Sequence, residues 1–142
     1  MKRALILTCT AVATAALTST SAAQDRTPPP DFTGVEWVAD SVTVGGVRHQ
    51  APGDAEGRLT FHTGKGTFSG WDSCNRFRGD AAVDVRRGTI TFGEERVSTV
   101  IGCHPSAFLR HFAPVAGPHE VRATADTLTL TGPDGYVLVL RR

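Results

Sequence analysis

Cysteine is scarce in this chain, and so is charge of either sign in excess. Only Cys9, Cys74 and Cys103 are present, and no two of them form a CxxC pair. Fifteen Lys and Arg against fourteen Asp and Glu leave no electrostatic reason to seek nucleic acid or an anionic membrane. There is no HExxH pair among the five histidines (His49, His62, His104, His111 and His119), no GxSxG around a serine, and no Walker spacing at Gly64-Lys65-Gly66. Internal repeats are lacking. No apolar run reaches the roughly 20 residues that cross a bilayer. The nearest, Ala4 to Leu17, has fourteen.

What is there begins with export. Lys2 and Arg3 precede that uncharged run, and small residues follow it to Ser21-Ala22-Ala23. This order predicts a signal peptide over residues 1–23, cut after Ala23. Cys9 lies inside the apolar run after Thr8, which argues against a lipoprotein. The expected location is secreted or in the cell envelope, with no membrane span after cleavage. Removal of Lys2 and Arg3 leaves thirteen bases against fourteen acids, a net charge of −1 on 119 residues. That length suits one domain with a core of its own.

Cleavage also removes Cys9. An even pair, Cys74 and Cys103, remains for an oxidising compartment and reads as a disulfide. The alternatives are two free thiols, or zinc ligands together with His104.

Gln24 to Asp31 holds Pro28-Pro29-Pro30 and reads as an extended tether before a domain over 32–142. Val35 to Val44 is a β-type run closed by Gly45-Gly46, and residues 47–57 read as a loop. Arg58 to His62 and Thr67 to Trp71 alternate about a Gly-Lys-Gly turn, so 58–71 is a hairpin. Ala81 to Val85 and Thr89 to Phe92 form a second, and Val97 to Ile101 is a further short run. Pro105 to Ala113 carries Phe108, Leu109 and Phe112 at helical spacing, with Pro114 to end the helix. Glu120 to Ala123 and Thr127 to Thr131 are strands. Gly132-Pro133-Asp134-Gly135 is a turn, and Tyr136 to Leu140 is apolar throughout, a strand expected to be covered on both faces. The fold class expected is mainly β (α+β): a curved antiparallel sheet or partial barrel with one short helix packed on it.

Asp72-Ser73-Cys74-Asn75-Arg76-Phe77-Arg78-Gly79 resembles the CNRFxG box of the META domain family, which includes the heat-inducible HslJ-like proteins. Thr99-Val100-Ile101-Gly102-Cys103 is similar to that family's second box, and Phe32 to Trp37 fits its usual opening. The similarity covers about residues 32–142. Two positions depart from the pattern: Ser73 stands where the family has glycine, and Pro105-Ser106-Ala107 where it often has an acidic residue. The resemblance implies a compact antiparallel β domain, commonly exported or envelope-associated, in families linked to stress. It implies no catalytic activity.

The residues of the boxes have a structural account. Asn75 satisfies backbone donors in a turn, Phe77 enters the core, Gly79 permits a bend or close approach, and Thr99 bonds backbone or a neighbour. Trp37 belongs to the opening. Arg76 and Arg78 share one strand face, a possible binding surface for an acidic partner. The chain is therefore read as a non-enzymatic exported binding module in a stress or envelope role, without catalytic residues, metal or cofactor, and expected to be a monomer. Its partner would be a protein or an apolar small molecule held inside an open barrel. The alternatives are a secreted protease inhibitor presenting the 46–57 loop, or a small hydrolase with a base beside a nucleophile.

Overall fold

The computed structural model describes residues 29–53, 57–103 and 106–142. The expected signal peptide over 1–23 and residues 24–28 of the expected tether lie outside the described residues, as do His104 and Pro105.

Among the described residues nine strands form one antiparallel sheet: β1 (Glu36–Val44), β2 (Val47–Gln50), β3 (Arg58–His62), β4 (Thr67–Trp71), β5 (Arg76–Asp84), β6 (Thr89–Ser98), β7 (Gly117–Ala123), β8 (Thr127–Thr131) and β9 (Val137–Arg141). Among the described residues one α-helix, α1 (Ala107–Phe112), lies between β6 and β7, and a short 3-10 turn, Pro133–Gly135, joins β8 to β9.

The sheet is closed, not partial. One edge of β1 takes β3 with its first residues and β2 with its last; the other edge takes β9 along Val38 to Thr43. Eight strands thus complete a barrel, and β2 extends it on the outside of the ring. Closure depends on pairing between the two ends of the domain, which local alternation does not encode. β2 corrects the expectation of a loop over 47–57. The outer residues of β9, Val137 and Val139, are only half-buried, so this strand is covered on its inner face alone. β5 and β6 are each longer than expected, because the hairpin runs on to Arg76 and Ser98 past a bulge opposite Gly79 and Ala81.

An eight-stranded barrel is just wide enough for side chains to fill. Trp37, Val42, Leu59, Phe61, Phe68, Phe77, Ile90, Phe92, Leu128, Leu130, Leu138 and Leu140 fill this one. β1 bulges between Ala39 and Ser41, so that Ala39 and Val42, opposite Leu140 and Leu138, both point inside, while Ser41 lies opposite the outer Val139 and is buried as well. The helix is capped by Ser106, whose Oγ accepts from Leu109 N–H at 3.2 Å, and presses Phe108 and Phe112 onto the core. Phe112 stacks on Phe108 and meets Phe77 edge-on at 5.9 Å. Trp37 lies inside the opening segment, its Nε1–H donating to Phe32 carbonyl at 3.0 Å.

A histidine shares this interior. His119 is 2% exposed, edge-on to Phe92 and Tyr136. Its Nδ1 contacts Gly117 carbonyl at 3.1 Å, and among the described residues Nε2 has no hydrogen-bond partner. Gly132 leaves the space that the imidazole occupies, since a Cβ there would overlap the ring. Burial holds the His119 pKa below its usual 6.5, only partly opposed by the Gly117 contact. The folded state thus prefers neutral His119, whereas the unfolded chain protonates it near 6.5. Stability from this site is complete above that pH and is lost as pH falls through the lowered folded value. Melting temperatures taken from about pH 7.5 down to about pH 5 are expected to fall less steeply for His119→Gln than for the parent. Parallel slopes would show that His119 does not couple folding to protons.

Candidate functional site

Antiparallel pairing places directly opposed residues on the same face. Three rows of outward side chains follow from the register of β1, β3, β4, β5 and β6. The first is Arg58, Trp71 and Arg76; the second is Glu36, Thr60, Ser69, Arg78 and Val97; the third is His62, Thr67 and Asp80. The first two rows line a groove of 550 Å³ on the outer wall of the barrel, with Thr99 at its edge. The third row continues into an adjoining hollow of 420 Å³ that also takes in Lys65 and Glu95.

The inner face explains how β4 and β5 lie so close here. Gly70 is paired with Phe77, and Phe68 with Gly79. Each ring occupies the space its partner lacks. A Cβ on Gly70 would run into the Phe77 ring and approach Arg58 carbonyl to 2.8 Å; one on Gly79 would meet Phe68 at 2.9 Å. Glycine at such places marks a tight bend in a barrel wall.

The two boxes form the rim. Asp72 Oδ1 accepts from Cys74 N–H at 3.0 Å and Asn75 N–H at 2.6 Å, closing the β4–β5 turn. Ser73 takes φ +69°, the left-handed region, where a Cβ costs about 1–2 kcal/mol that glycine avoids. Asn75 Oδ1 accepts from Thr99 Oγ1 at 3.0 Å and from Ile101 N–H at 2.7 Å. Thr99 Oγ1 in turn accepts from Arg76 N–H at 3.0 Å. A disulfide joins Cys74 to Cys103, with the Cα atoms 6.3 Å apart. Box one and box two are therefore one bonded unit at the mouth of the groove. Among the described residues, no cluster of three His, Cys, Asp or Glu is arranged to hold a metal.

Charge within the groove is uneven. Arg58 Nη1 lies 2.6 Å from Glu36 Oε1, and its guanidinium sits 5.8 Å from the centre of the Trp71 ring. Arg76 and Arg78 are exposed and, among the described residues, have no ion-pair partner. Arg86 and Arg87, part of the same local excess in the sequence, lie in the β5–β6 turn instead, where Arg87 reaches Asp84 at 3.6 Å.

A family model described as META domain matches residues 30–142. The chain belongs to the META domain family. Two solved structures share the fold of this META domain. One is an NMR structure of a protein from Burkholderia xenovorans: 23% identity, TM-score 0.56, covering 78% of this chain and 83% of that one. The other is also an NMR structure: 22% identity, TM-score 0.52, covering 74% and 86%. No curated protein matches the chain in sequence.

Sequence reasoning singled out Arg76 and Arg78 and missed Arg58, Trp71, Ser69 and His62 as their neighbours. The signal was the alternation of 58–62 and 67–71, which puts these residues on the outer face once the hairpin register is known. The structure also brings His62 Nε2 to 2.8 Å from Ser69 Oγ. Among the described residues no third group is hydrogen-bonded to the other ring nitrogen of His62. The stretch read as an inhibitor-type loop is shortened by β2, which pins residues 47–50 to β1.

Proposed function

We propose that this META domain is an exported, non-enzymatic binding module that captures an acidic partner in the outer-wall groove, in a stress or surface role at or beyond the cell envelope. One observation carries the reading: Arg76 and Arg78 have no ion-pair partner among the described residues and stand beside the half-buried Trp71, in a concavity of a size typical for ligand sites. Guanidinium groups bind carboxylates in bidentate fashion, and an aromatic face adds contact area. Export is supported by the order of residues 1–23, and an acidic partner matches the groove even though the whole chain is nearly neutral.

Trp71 supplies the assay. Of the two tryptophans, Trp37 is buried in the barrel, so a ligand in the groove changes Trp71 emission. Titration with poly-glutamate is expected to give a saturable change that weakens as salt is raised. Arg76→Ala with Arg78→Ala is expected to lower the affinity at least tenfold. No saturable change at low salt would remove the reading.

A further inference from the structure

We propose that the groove reads an extended peptide laid along β5, with acidic side chains at two alternate positions and a basic one at the next. This rests on the binding reading above and narrows it to one kind of partner.

The outward residues of β5 are Arg76, Arg78 and Asp80, in that order. Alternate residues on a strand are about 6.8 Å apart, and an extended peptide projects its own alternate side chains at the same period. The two periods match without strain when such a peptide lies parallel to the strand. Arg58 faces Glu36 and flanks Trp71, so its charge is already met. Arg76 and Arg78 are then the two cations left for ligand carboxylates. Asp80 ends the positive run, and Glu95 lines the same hollow. Arg78 and Lys65 also line it, so beyond Arg78 itself this end is mixed, with two carboxylates against one ammonium. The groove is thus polar along its length, positive toward the box-one rim and more negative toward the β3–β4 turn. That fixes the direction of the peptide: acid, spacer, acid, spacer, base. Val97, paired with Arg78 and 64% exposed, offers an apolar wall to a spacer residue. The backbones of β4 and β5 are hydrogen-bonded on both sides, so the ligand is held by side chains and is not added as a strand.

The test is Trp71 fluorescence titration of the whole protein with defined probes. The first peptide carries Glu at positions one and three and Lys at five. The second has the same composition with the glutamates three residues apart. A third replaces the lysine by glutamate. Poly-glutamate and a uronic-acid polysaccharide complete the set. The first peptide is expected to bind at least tenfold more tightly than the second and the third. Arg78→Ala should lower its affinity at least tenfold, with Arg78→Lys intermediate. Asp80→Asn should erase the preference between the first and third peptides. Arg78 and Asp80 are exposed, so these variants keep the fold, which circular dichroism checks. Equal binding of the first and second peptides, with poly-glutamate still bound, overturns the spacing rule and leaves the binding reading intact. Tighter binding of the polysaccharide than of any peptide overturns the peptide assignment. Failure of every probe, poly-glutamate included, removes both.

Discussion

A double Cys74→Ser, Cys103→Ser variant is expected to lose about 3.5 kcal/mol of stability. The bridge spans a sequence separation of 29, and restricting a loop of that size in the unfolded chain sets the figure. For a domain of this length the change corresponds to a drop in melting temperature of about 10–15 °C. The loss reaches further than chain entropy. Residues 99–103 are exposed and carry no strand of their own beyond Ser98. They are held by the disulfide, by the two bonds to Asn75 and by the exchange between Thr99 and Arg76. Without the bridge these bonds alone retain the rim. Hydrogen exchange at Ile101 N–H is therefore expected to speed up more than exchange in the barrel strands. The parent protein should show the same fall in melting temperature on adding reductant. A melting temperature indifferent to both reductant and the double substitution would overturn the assignment.

Phe77→Ala is expected to cost about 3–5 kcal/mol, the range for emptying a buried phenylalanine site. Phe77 is in contact with Phe68 and Phe112 and lies beneath the Arg96 guanidinium, so its loss opens a void shared by β4, β5 and α1. The sharper result concerns its partner across the strands. Gly70→Ala in the parent is expected to cost about 1–3 kcal/mol, because the new methyl runs into the ring. In the Phe77→Ala background the clash with the ring is gone and only the approach to the Arg58 carbonyl remains, so the same change should cost about 1 kcal/mol less than in the parent. Urea unfolding of the four proteins measures the coupling. Additive costs would show that Gly70 is needed for some reason other than the ring.

These results bear on what was legible in the residues themselves. Phe77 and the alternation of Leu128 and Leu130 told correctly which side chains enter the core, since period-two patterning maps directly onto faces. The helix was legible from Phe108, Phe112 and Pro114. Closure between β1 and β9 was not, because no local pattern says which distant strand a half-buried edge will find. The groove was only half legible. Arg76 and Arg78 announce a shared face, but Arg58 and Trp71 join them through register, and register depends on the turns at 63–66 and 72–75. β2 escaped notice because Val47 to Gln50 has one apolar residue in four and lies among glycines and a proline.

The seam between β1 and β9 has a kinetic consequence. Val38 to Thr43 and Val137 to Arg141 come from opposite ends of the domain, so the ring cannot be completed until nearly every residue is available. Contacts of such long sequence separation come at a high loop-closure cost and slow the search for the native state. Until the last strand docks, β1 and β8 each present a bare edge, the kind of surface that recruits other chains. Folding is therefore expected to be gated by a single late event at this seam, and the chain to be most vulnerable to aggregation just before it.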